Sequence, residues 1–195
     1  MVTYVAHWGT VTVYLPIRAD AAGANVGLYF AADGLAIFLM RLPTGWLVDR
    51  VPSRLLVVIG AFVTAIAIAM LLLPLTTPLL VASGLLGGAA GALVMTPVLV
   101  ELSRRSSSAD RGSAFALYSG SLASAISLGS IGGAPLVAAL GMSTTLVIGI
   151  GLIGVALVLA LADPLMRDPR REAAASLQNE DEAAEAAVET PSALT

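Results

Sequence analysis

Cysteine is absent from the 195 residues, which excludes disulfides and thiolate metal sites. Lysine is absent too, so all ten basic residues are arginine, a bias that by itself excludes no function. The only histidine is His7. With no cysteine beside it and acids scattered along the chain, no metal constellation and no nucleophile–base pair can be assembled. Neither a metal site, a cofactor nor an enzyme is expected. Charged residues make up only 12%, and nothing in their placement points to nucleic acid.

What is there is apolar. The chain is 57% hydrophobic with a mean hydropathy of +0.91. A soluble domain of this size cannot cover so much apolar surface. Runs of about twenty residues with few charges read as transmembrane helices. Six are expected, at about 2–17, 25–48, 55–73, 79–102, 112–140 and 143–161, within a membrane domain spanning 1–165. The first is short, and reads as a helix that begins at or before Met1. It lacks the charged start and small-residue cleavage site of a signal peptide. The net charge of −3 hides a split. Ten arginines face seven acids up to Arg171, a balance of +3, while six acids and no base follow from Glu172, a balance of −6. The stretch 166–195 therefore reads as an acidic, disordered or frayed tail.

Arginine placement sets an orientation. The turns after the second, fourth and sixth segments hold Arg50, Arg54, Arg104, Arg105, Arg111, Arg167, Arg170 and Arg171; the other turns hold only Arg18. Both termini are then cytoplasmic. Segments three and six are plain, while the two before each carry the polar and small residues. That is a 3+3 pattern, as in inverted triplets.

The short turn Gly45–Arg54, GWLVDRVPSR, has the most specific chemistry. Asp49 stands at a helix C-terminus, where the dipole favours cations such as Arg50 and Arg54. It needs another partner, such as the positive N-terminus of a different helix. This turn resembles the loop signature G-x-L-a-D-R-x-G-R-[KR] of the major facilitator superfamily, with Gly45, Leu47, Asp49, Arg50 and Arg54 in place. Pro52 stands where the second glycine is usual and Ser53 at a usually basic position. A degraded copy suits the C-terminal half of such a transporter. The passage RRSSSADRGSAFALYSG, Arg104–Gly120, is similar to the loop before the penultimate helix of efflux-type members.

The resemblance implies an all-α polytopic membrane protein of six helices, half of the superfamily's fold. It implies transport of a small-molecule solute by alternating access, in the cell membrane and surrounded by membrane lipid. Segments one and four would line the cavity, two and five flank it, and three and six face lipid. A second six-helix half or a homodimer partner would complete it, with a proton as a possible coupling ion. The alternative is a membrane scaffold or assembly partner that does not transport.

Asp33 lies eight residues into segment two, roughly 12 Å along the helix. An unpaired carboxylate there costs about 2.5–3.5 kcal/mol, so it should face a cavity or a partner. It reads as a coupling site or a contact for a cationic substrate, against a structural hydrogen bond to a neighbouring helix. Arg41, two turns on and about 80° around, is the second candidate, against an anchor that pairs with Glu101 or Asp49. Glu101 and Arg104, spaced i, i+3, can pair on one face. With Asp49, Arg50 and Arg111 they form a candidate cytoplasmic cluster that holds one conformation closed. Gly84 with Gly88, and Gly87 with Gly91, have the spacing of close helix crossings, as do small residues from Gly112 to Gly133. Pro97 and Pro135 are expected to bend their helices. His7 beside Trp8 reads as a packing or interfacial residue.

Overall fold

The computed structural model describes residues 2–107 and 109–162. These are all-helical: α1 Val2–Ala21, α2 Val26–Val48, α3 Ser53–Met70, α4 Thr77–Arg105 and α5 Arg111–Ala162. Five helical elements thus stand where six were expected, because the last two segments run together as α5. The expected tail at 166–195 lies outside the described residues, with Arg167, Arg170 and Arg171.

Local chemistry explains where the helices start and stop. Asn25 caps α2, its side-chain oxygen accepting from the Gly27 amide at 3.0 Å. Thr76 caps α4 through the Leu79 amide, with Pro78 in the first turn, where no amide proton is needed. Gly23, at φ 65, makes the turn that ends α1. Pro97 is buried inside a helix that continues to Arg105, so it does not interrupt α4. The break in α5 falls at Gly141, with φ 79 and ψ 161, and not at Pro135.

Two ends of the bundle can be told apart by their contacts. Arg104 at the end of α4 reaches Asp49 at the end of α2. Arg54, in the first turn of α3, donates to the carbonyl oxygen of Leu161 at the end of α5. The start of α5 follows α4 after a short loop, held by Ser107 and Asp110. Both ends of α5 therefore lie at this motif end, and the chain reverses at Gly141. At the opposite end Arg18 donates to the Leu71 carbonyl oxygen at 2.7 Å, and the Asn25 amide donates to Thr77 at 3.1 Å.

Four helices, α2 to α5, are long and apolar enough to cross a membrane. Helix α1 is long enough but carries His7, Arg18 and Asp20. Large apolar side chains such as Phe38, Leu42, Phe62, Leu117 and Ile131 stand exposed at the surface. That is the arrangement a lipid solvent favours.

The helices group unevenly. Packing is densest between α2 and α4, then between α1 and α5, then between α3 and α4. Glycine makes the first two possible. A Cβ placed on Gly84 would fall 2.5 Å from the Tyr29 carbonyl oxygen, and one on Gly88 2.2 Å from that of Asp33. On the other pair, a Cβ on Gly129 would fall 1.8 Å from the Ala6 carbonyl oxygen, and one on Gly133 2.8 Å from Thr10 Oγ1. Each crossing thus presses one small-xxx-small pair against two residues one turn apart. Thr10 donates to the Gly129 carbonyl oxygen at 2.9 Å, where the backbones are closest.

Candidate functional site

Between these two packed pairs lies a cavity of about 350 Å³. Helix α2 presents Tyr29, Asp33, Ile37 and Arg41 to it, every fourth residue along one face. Helix α1 presents Tyr4, His7, Trp8 and Val11, and α4 one face from Gly87 through Gly91, Ala92, Met95 and Thr96 to Leu99. The stretch of α5 before Gly141 adds Tyr118, Leu122 and Ile126; the stretch after it adds nothing. Helix α3 was expected to face lipid, yet Thr64, Ala67 and Ile68 belong to the wall.

Asp33 is 5% exposed and makes no hydrogen bond or ion pair among the described residues. The structural hydrogen bond to a neighbouring helix is therefore not found. Its Oδ1 stands 3.5 Å from the Cβ position of Gly87, so the small residue on α4 leaves the carboxylate room at the wall. Arg41 lines the same cavity but is itself exposed. It pairs with neither Asp33, Glu101 nor Asp49, both of which have other arginines.

Tyr4, Trp8, Tyr29 and Tyr118 line the same cavity as the carboxylate. Trp8 stacks with Tyr29 at 6.5 Å between ring centres, and Phe30 meets both rings edge-on. The Tyr4 hydroxyl bonds Thr64 Oγ1 at 2.7 Å, while Thr64 donates to the Gly60 carbonyl oxygen at 2.8 Å. With Thr64's proton so used, Tyr4 is the donor. The His7 ring bonds the Tyr4 carbonyl oxygen through Nδ1, and the Tyr118 hydroxyl bonds the Met95 sulfur at 3.3 Å. Tyr4, Trp8, Tyr29, Thr64 and Tyr118 were not singled out as site residues from the sequence. The available signal was the fourfold spacing of Tyr29, Asp33, Ile37 and Arg41.

At the motif end the partners differ from those expected. Asp49 takes Arg104, with Nη2 2.7 Å from Oδ1, rather than a helix N-terminus. Glu101 pairs with Arg105, four residues on, and not with Arg104, three residues on. Arg50 lies 3.6 Å above the Trp46 ring and donates to the Trp46 carbonyl oxygen at 3.2 Å. A cation just past the C-terminus of α2 also suits the helix dipole. Gly45 has nothing within 4 Å of its Cβ position, and Arg111 is exposed and joins neither ion pair. Thr44 Oγ1 and Arg54 Nε are buried here without partners.

The family model of the Major Facilitator Superfamily matches residues 1–193. The chain belongs to that superfamily. Its members carry small solutes across membranes and are transporters, not enzymes. A search of individually curated proteins finds no match. Among the described residues no three His, Asp or Glu side chains are grouped so as to hold a metal.

Proposed function

We propose that this chain is one six-span half of a superfamily transporter, of the C-terminal type, moving a small solute by alternating access. The observation that carries the reading is Asp33: a carboxylate buried at membrane depth, without a partner among the described residues, on the wall of a cavity of about 350 Å³. Intramembrane ionisable groups are kept for function because they are expensive.

Supporting the span count, α5 starts and ends at the motif end and turns at Gly141. Six passages with both termini cytoplasmic follow, in agreement with five arginines at the motif end against Arg18 at the other. Supporting the inverted triplets, a two-fold that exchanges the first three passages with the last three maps the α1–α5 crossing onto the α4–α2 crossing. Those two are the densest in the molecule. The Asp49–Arg104 pair serves as a latch at the cytoplasmic side, releasing α2 from α4 as the cavity changes access, while Glu101–Arg105, within α4, keeps Arg105 from competing for Asp49. A second six-helix half, from the same twelve-helix polypeptide, another chain or a second copy, covers the open side of the cavity.

The test is uptake of radiolabelled solutes from several chemical classes into proteoliposomes. One set holds the verified monomer, another a tandem fusion of two copies, which cytoplasmic termini allow. Flux is expected only in the tandem, falling at least about tenfold with Asp33→Asn. Flux through the monomer sinks the half-transporter reading. A tandem whose flux ignores Asp33→Asn removes the site.

A further inference from the structure

We propose that the solute is an organic cation: a quaternary or protonated amine carrying an apolar or aromatic body. This deepens the transport reading above and rests on it.

Asp33 provides the charge. It is nine-tenths buried or more, faces the cavity, and has no cation against it among the described residues. Arg41 is about two turns away, roughly 12 Å along the helix axis, and lies at the surface. An ionised carboxylate in such a wall is poorly solvated, and a ligand cation relieves that cost. Tyr4, Trp8, Tyr29 and Tyr118 provide the rest of the recognition, since aromatic faces attract cations and pack apolar bodies. The volume is that of a small drug-sized ligand site.

Other solute classes fit worse. A polyol needs several free donors and acceptors. Here the Tyr4, Thr64 and Tyr118 hydroxyls and His7 Nδ1 are engaged within the protein, which leaves only the Tyr29 and Thr96 hydroxyls uncommitted on the described wall. An anion meets Asp33 buried in the wall. A hard inorganic cation needs an oxygen cage, and among the described residues no cluster of acids supplies one.

Trp8 is a built-in reporter, because it lines the cavity while Trp46, the second of the two tryptophans, lies at the motif end. The full chain bearing W46F, purified in detergent, is titrated with benzyl(2-hydroxyethyl)dimethylammonium while tryptophan fluorescence is read. The same titration uses the uncharged alcohol in which carbon replaces the quaternary nitrogen. Competition with 3-phenylpropanoate follows.

Saturable binding of the cation is expected, weaker by at least about tenfold for the carbon analogue and in Asp33→Asn. The anion should not compete. No saturable binding, equal binding of the carbon analogue, or displacement by the anion overturns the proposal. The carbon analogue needs no variant of Asp33, so misfolding of Asp33→Asn leaves the result decisive. Binding is read without flux, which separates the two failures. A tandem that transports some other solute while the cation fails to bind defeats the cation class alone. Cation binding without flux in any assembly keeps the site and defeats the transport reading.

Discussion

Arg104 Nη2 lies 2.7 Å from Asp49 Oδ1, joining the last turn of α4 to the end of α2. The two side chains are 50% and 66% exposed, so solvent screens the pair and its contribution to stability is small, about 1 kcal/mol or less. The proposed latch gives the pair a conformational role instead. Asp49→Arg or Arg104→Asp alone should leave the melting temperature nearly unchanged but increase labelling of a cysteine introduced at Leu99, on the cavity wall. The double exchange should restore protection. The absence of native cysteine makes the assay clean. Unchanged labelling in both single variants refutes the latch.

Much of the helical architecture was legible because apolar runs interrupted by Gly23, Pro52 and Pro74 leave few alternatives. Asp33 was legible as well, since a lone carboxylate in such a run has few physical excuses. Partner choice was not. Spacing alone allowed Glu101 to meet Arg104, but the helix turns Arg105 onto Glu101 and frees Arg104 for a residue 55 positions away. Nor does a uniformly apolar helix reveal its face: α3 carries only Thr64 to show which side meets the cavity. The break at Gly141 was legible, since it falls in the gap between the segments expected at 112–140 and 143–161.

Gly88 and Gly129 are predicted to be intolerant positions. A valine at either would drive its Cβ into a carbonyl oxygen, of Asp33 or of Ala6, at 2.2 and 1.8 Å. The helices must separate, which typically costs about 1–3 kcal/mol or more in overpacked interiors. Gly120→Ala is the contrast, since nothing lies within 4 Å there. Thermal unfolding in one detergent should show a clear fall for G88V and G129V and none for G120A. Equal melting of all three removes the close-crossing argument.

Gly141 is predicted to need its lack of a side chain. Its φ of 79 and ψ of 161 lie where only glycine is comfortable. Gly141→Ala has open space around it, so the cost is backbone strain alone, about 1–3 kcal/mol. Unfolding should shift accordingly, while Gly151→Ala, inside the following helical stretch and equally open, should be neutral or slightly stabilising. Matching behaviour of the two alanine variants would show that the reversal does not depend on this residue.

The Tyr4–Thr64 bond predicts an asymmetry between two conservative changes. Tyr4 donates to Thr64 Oγ1, and Thr64 donates onward to the Gly60 carbonyl oxygen. Tyr4→Phe therefore removes one bond and orphans no donor, because Thr64 keeps its own acceptor. Its cost should be small, about 0.5–1 kcal/mol. Thr64→Val removes the acceptor and leaves a buried Tyr4 hydroxyl without a partner, for which about 1–3 kcal/mol is expected. In the double variant the orphan hydroxyl is gone, so its stability should lie above that of Thr64→Val alone. A double variant less stable than Thr64→Val would show that the tyrosine ring is held by something other than this bond.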